Sequence, residues 1–136
     1  MMKQKNDVHL VHTFYTKHLD KTGFFLQCIC FVLSCLYAKK SGFKINLHTD
    51  KQGFEYLNIC PYDNIYIDLE DVDLPASKLY AAAKFIVMNN YPIGVIHIDG
   101  DVLLKNSNLI NLLEFSNYDC IVQSIEAPPI YGAGWD

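Results

Sequence analysis

Two aspartates separated by one glycine, Asp99, Gly100 and Asp101, interrupt the apolar run IGVIHIDGDVLL at residues 93–104. In extended chain, residues two apart face the same side, so both carboxylates would point one way while Gly100 lets backbone or ligand come close. Two like charges held together need a cation between them. A hard divalent ion that keeps some of its water and accepts phosphate oxygens suits such a pair better than a caged structural metal. The plainer alternative is a turn after a strand, for which Asp and Gly are ordinary residues. Against it, Val102, Leu103 and Leu104 resume the apolar run where a simple turn would go polar.

The elements that must position this pair can be read from patterning. Val95, Ile96 and Ile98 are β-branched and come just after Pro92 and Gly94, so the run reads as a buried strand with the aspartates at its C-terminal end, where open α/β sheets bind ligands. Residues 8–16, VHLVHTFYT, have the content of a first strand, with His12, Thr13, Tyr15 and Thr16 toward its end. Thr13 there is a candidate for ligand contact, or an ordinary strand-end residue. Residues 24–40 read as a charge-poor helix stopped by Lys39, Lys40, Ser41 and Gly42. Gln27 and Ser34 share one narrow stripe, so most of this helix's circumference is expected to be covered.

Residues 44–50, KINLHTD, form a second strand, after which Asp50 either caps the short helix at residues 51–58 or reaches a ligand. Residues 64–69 make a third strand, and the acidic stretch after it reads as a solvated loop. Asp73 is expected to open a helix with Pro75 in its first turn, running to about Asn90. Lys84 on that helix either snorkels over apolar surface or aims its ammonium at a phosphate or sugar oxygen. His97 reads as a satisfied core histidine. A helix cored by Leu109, Ile110, Leu112 and Leu113 and a strand at residues 120–125 come next. Strand and helix thus alternate, the pattern of a Rossmann-like three-layer α/β sandwich with a mostly parallel sheet.

At 136 residues the chain is expected to form one domain. Its net charge of −4, with no basic cluster longer than Lys39–Lys40, argues against a nucleic-acid surface. The five cysteines, an odd number without CxxC spacing, read as thiols of a reducing cytoplasm. The uncharged stretch at residues 24–38 is shorter than the ~20 residues a membrane span needs, so no transmembrane segment is expected.

The string IHIDGDVLL after three βα units, with VHTFYT, LHTD and KLYAAAKF before it, resembles the nucleotide-sugar-binding half of glycosyltransferases with the GT-A fold. More narrowly, it is similar to a bacterial family of glycosyltransferase-like domains of unassigned function. The resemblance implies that Asp101 binds Mn²⁺ or Mg²⁺ directly and that Asp99 shares the ion or contacts the donor's ribose. It implies Thr13 and Asp50 as candidates for the base or ribose, and Lys84 for the sugar or a phosphate. The expected donor is a nucleotide sugar, UDP-linked, and the acceptor a glycan or lipid-linked molecule. Complete enzymes of this kind are longer, so the acceptor half is expected to lie outside this sequence. Glu126 is singled out only by its place after a strand, and no catalytic base is assigned.

Two other readings remain. One is a non-catalytic binding module that keeps the donor site. The other is a phosphatase of the haloacid-dehalogenase type, in which Asp99 would attack phosphorus and Asp101 would act as acid or base. That motif usually opens its fold, however, and too little chain comes after Asp101 here for the family's remaining motifs.

Overall fold

The computed structural model describes residues 9–75, 81–91 and 95–105. They form an α/β fold with four strands, β1 (His9–Phe14), β2 (Lys44–Thr49), β3 (Asn64–Tyr66) and β4 (Val95–His97), and three helices, α1 (Lys21–Lys40), α2 (Lys51–Leu57) and α3 (Ala82–Asn89). All strand pairs are parallel and the order is β3-β2-β1-β4. The expected helix around Leu109–Leu113, the strand at 120–125 and Glu126 lie outside the described residues.

The order dictates the layering. The chain steps from β1 to β2 to β3 in one direction, and right-handed crossovers then place α1 and α2 on one face of the sheet. The step from β3 back to β4 runs the other way, so α3 must cross the opposite face. Alternation along β1 serves both sides. Leu10 and Phe14 pack with Ile45, Leu47 and the α1 residues Phe24, Cys28, Phe31, Cys35 and Ala38. Val11 packs on the other side with Leu69 and the α3 residues Ala83 and Val87.

α1 begins three residues earlier than the apolar pattern suggests, because the Asp20 carboxylate accepts the Gly23 N–H at 2.6 Å and caps the helix. It ends as expected. Gly42 adopts φ 83°, and the bonds Gly42 N–H to Lys39 O and Phe43 N–H to Ala38 O complete a Schellman motif that a left-handed residue makes possible. The extra turn makes α1 long and apolar enough to cross a bilayer by length and composition, so shortness no longer excludes a span. What α1 does in this fold is bury one face against the sheet. The expectation that most of its circumference is covered is also corrected, since Leu26, Ile29, Leu33 and Leu36 are exposed on its outer side.

α3 differs at its start. Residues 72–75 are not helical and the helix begins at Ala82, without a side-chain cap. Leu74 precedes a proline, which disfavours helical backbone. Its neighbourhood is held instead by the loop after β1. The Tyr15 hydroxyl donates to Val72 O at 2.8 Å and accepts the Leu74 N–H at 3.2 Å, Lys17 donates to Glu70 O and Val72 O, and His18 bonds Leu74 O.

Candidate functional site

Between β1 and β4 the connections leave in opposite directions on opposite faces, the switch point where open parallel sheets leave a crevice. An open cleft of about 280 Å³ lies there. Thr13 from the end of β1, Lys84 from α3, Gln27 from α1 and the Asp99, Gly100 and Asp101 segment after β4 line it, with Phe31 and Leu19 among its apolar wall. Four of the five site residues expected from sequence, Thr13, Lys84, Asp99 and Asp101, therefore meet on one cleft.

The backbone that presents the aspartates is not extended. β4 ends at His97, and residues 99–102 form a turn closed by the Val102 N–H to Asp99 O bond at 3.0 Å. The expected alignment of the two carboxylates as strand residues two apart is thus corrected. They line the same cleft through a turn. Gly100 is needed for close approach: a Cβ there would sit 2.5 Å from the Phe31 ring, well inside contact distance, and the glycine's own φ is not positive.

Beyond the turn the chain runs along a polar stripe of α1. Gln27, Ser34 and Ser41 recur every seven residues, two helical turns apart. Gln27 faces the cleft, Ser34 donates to Val102 O at 2.6 Å, and Ser41 donates to Leu104 O at 2.9 Å. Ser34 is part of a longer chain. His12 Nε2 lies 3.0 Å from Ser34 Oγ, and its Nδ1 lies 2.9 Å from the Tyr62 hydroxyl. Because a carbonyl only accepts, Ser34 must spend its proton on Val102 and accept from His12 Nε2–H, which leaves Nδ1 to accept from Tyr62. Burial pushes His12 down to about 3, with His97 adding and Asp99 opposing, so it holds this neutral tautomer.

Around the carboxylates the charges are specific. Lys84 Nζ lies 2.6 Å from Asp99 Oδ1, with the two side chains 34% and 51% exposed. His97 Nδ1 lies 3.7 Å from the same oxygen, and its Nε2 is hydrogen-bonded to Thr13 Oγ1 at 3.0 Å. Burial holds His97 down to about 4; Asp99 opposes this, while Lys84 and His48 add to it. A neutral imidazole thus stands between Thr13 and Asp99 and orients Thr13. Among the described residues, one ammonium against two carboxylates leaves the cleft with an excess of negative charge.

Asp50 stands apart. It is 2% exposed and is absent from the cleft lining. Its carboxylate caps α2 by accepting the Gly53 N–H at 3.0 Å, and it accepts the Thr16 N–H at 2.8 Å and the Thr16 hydroxyl at 2.9 Å. Of its two readings, capping is the one the geometry bears.

Among the described residues no three His, Cys, Asp or Glu side chains converge on one point, so no caged metal is built here. Two adjacent carboxylates at an open cleft suit a Mg²⁺ or Mn²⁺ ion that completes its shell with water and phosphate oxygens.

Sequence reasoning missed the His12–Ser34–Tyr62 chain; it read His97 as a satisfied histidine, which the bond to Thr13 bears out, but did not see its place beside Asp99. The one signal that could have found the first is the seven-residue spacing of Gln27, Ser34 and Ser41, a polar stripe in an otherwise apolar helix. His97 carried no signal beyond its place two residues before Asp99.

No curated protein and no solved structure matches the chain significantly. Residues 8–133 match the model of a family of unknown function, DUF6734, and the chain belongs to that family.

Proposed function

We propose that the cleft between β1 and β4 binds a nucleotide sugar through a divalent ion, and that the chain supplies the donor-binding half of a glycosyltransferase. The observation that carries this reading is the meeting of Thr13, Lys84, Asp99 and Asp101, drawn from β1, α3 and the turn after β4, on one cleft at the switch point. The GT-A resemblance of the DGD segment supports it.

Electrostatics supports it further. A diphosphate entering a cleft with excess negative charge is repelled, and a divalent cation reverses that balance. Asp99 and Asp101 would hold Mn²⁺ or Mg²⁺, which when bound neutralises the charge that develops on the departing nucleoside diphosphate as the sugar–phosphate bond breaks. Thr13, oriented by His97, offers its hydroxyl to the base or ribose, and Lys84 offers its ammonium to a phosphate or sugar oxygen. Asp50 is not part of this donor set, because its oxygens are already engaged. The donor we favour is UDP-linked and the acceptor a glycan or lipid-linked molecule. The free thiols of Cys28, Cys30, Cys35 and Cys60 support a reducing, cytoplasmic setting.

Isothermal titration with UDP in Mn²⁺ and again in chelator tests the reading. Heat of binding in Mn²⁺ alone is the expected result. Equal binding in both conditions, or none with any nucleoside diphosphate, contradicts it.

A further inference from the structure

We infer that Lys84 is a built-in counter-cation of Asp99 that makes the divalent ion and the diphosphate enter the cleft together. The inference rests on the reading of this cleft as a metal–diphosphate site and adds how its occupancy is controlled.

The Lys84 ammonium lies 2.6 Å from Asp99 Oδ1, on the carboxylate that an ion held by both aspartates would also use. Among the described residues the other side chain near that oxygen is His97, whose Nδ1 lies 3.7 Å away and beyond hydrogen-bond reach, so the ammonium is the group that holds Asp99 in the free protein. The α3 backbone that carries Lys84 is fixed, because the neighbouring residues Ala83 and Val87 are packed in the core beside Val11 and Leu69, so the ammonium stays tethered within side-chain reach of the cleft. An ion arriving alone must therefore displace an ammonium that stays close and repels it.

A diphosphate arriving with the ion changes this. The phosphate oxygens accept the Lys84 N–H groups that Asp99 gives up, so one exchange frees the carboxylate and grips the ligand. Ion pairs as exposed as this one are weak, about fivefold at most in an equilibrium constant, so the exchange is easily reversed. By linkage, each ligand raises the other's affinity by the same factor.

The test is a titration of Mn²⁺, monitored by its electron paramagnetic resonance signal, with and without UDP. It compares the wild-type chain with Lys84→Met, which keeps the helical stem, and Lys84→Arg, which keeps the charge. Circular dichroism and a melting curve check that each variant is folded. Lys84→Met is expected to bind Mn²⁺ alone about fivefold tighter and to bind UDP in Mn²⁺ more weakly, while Lys84→Arg keeps the wild-type coupling. A lysine that only supports the fold would not move the two affinities in opposite directions. Wild-type binding of Mn²⁺ with UDP, but no gain of Mn²⁺ affinity or no loss of UDP affinity in Lys84→Met, overturns the counter-cation and leaves the donor site standing. No binding of Mn²⁺ with UDP by any of the three chains overturns both.

Discussion

β2 and β4 leave the sheet on the same sequence pattern, Leu47-His48-Thr49-Asp50 in one and Ile96-His97-Ile98-Asp99 in the other, yet their aspartates meet opposite fates. Asp50 is 2% exposed and spends its oxygens on Gly53 and Thr16. Asp99 has a half-exposed side chain that lines the cleft and meets a partly exposed lysine ammonium and the edge of a neutral histidine. The difference lies in the chain beyond each strand. α2 begins at the residue after Asp50, and its orphan N–H groups demand an acceptor. After Asp99 the chain turns and is drawn along α1 by Ser34 and Ser41, so no helix claims the carboxylate. A strand-end aspartate is structural when a helix starts on it, and available for a ligand when the chain leaves.

The comparison predicts unequal costs. Asp50→Ala strips the buried Thr16 N–H and the α2 cap together, and a urea melt should show a loss of roughly 3 kcal/mol. A loss below about 1 kcal/mol would break the assignment of Asp50 as a structural tie.

Acid should act on the buried chain behind the cleft. Folded His12 takes a proton only near pH 3, against an ordinary value of 6.5, so in between the unfolded chain binds more protons and stability falls as pH drops. By pH 5 the loss from His12 is about 2 kcal/mol, with His97 adding in the same direction. Melts at pH 7 and pH 5 check it; a His12→Gln variant should lose less on acidification than the wild type.

Gly100→Ala pushes a methyl into the Phe31 ring and should cost about 1 to 2 kcal/mol, much of it recovered when Phe31 is also cut to Leu. Additive losses in the double variant would show that the ring is not what confines residue 100. The smallest effect on stability belongs to Asp99→Asn. It should lie within about 1 kcal/mol of wild type, because an exposed ion pair contributes little, and the variant should still lose Mn²⁺-dependent nucleotide binding.

Much of this architecture was legible from local pattern. The β-branched runs and apolar periodicity mark β1, β2 and α1, and the Lys39–Gly42 string marks the end of α1, because each reports on residues a few positions apart. The same holds for the gathering of Thr13, Lys84, Asp99 and Asp101, which is expected once parallel strands place their C-terminal ends together. The features that were not legible depend on distant partners. Ser34 finds Val102, Thr16 finds Asp50, and Tyr15 finds Val72 and Leu74, and no spacing rule joins residues so far apart. The same limit explains the bend at Asp99, whose turn is held by Phe31 and Ser34 from another element, and the late start of α3, where bonds from the β1–α1 loop hold residues 70–74 out of a helix.

The central claim is that Asp99 and Asp101 are available where Asp50 is not, and a thermal-shift titration tests it most directly. The wild-type chain and Asp101→Asn would each be melted with uridine, guanosine, cytidine and thymidine diphosphates, in Mn²⁺ and in chelator. The expected result is stabilisation of the wild type by one diphosphate in Mn²⁺ only, about 2.7 kcal/mol at a hundredfold excess over its dissociation constant, absent from an equally folded Asp101→Asn. A shift that survives the chelator or the Asp101→Asn substitution, or no shift with any of the four, would contradict the account.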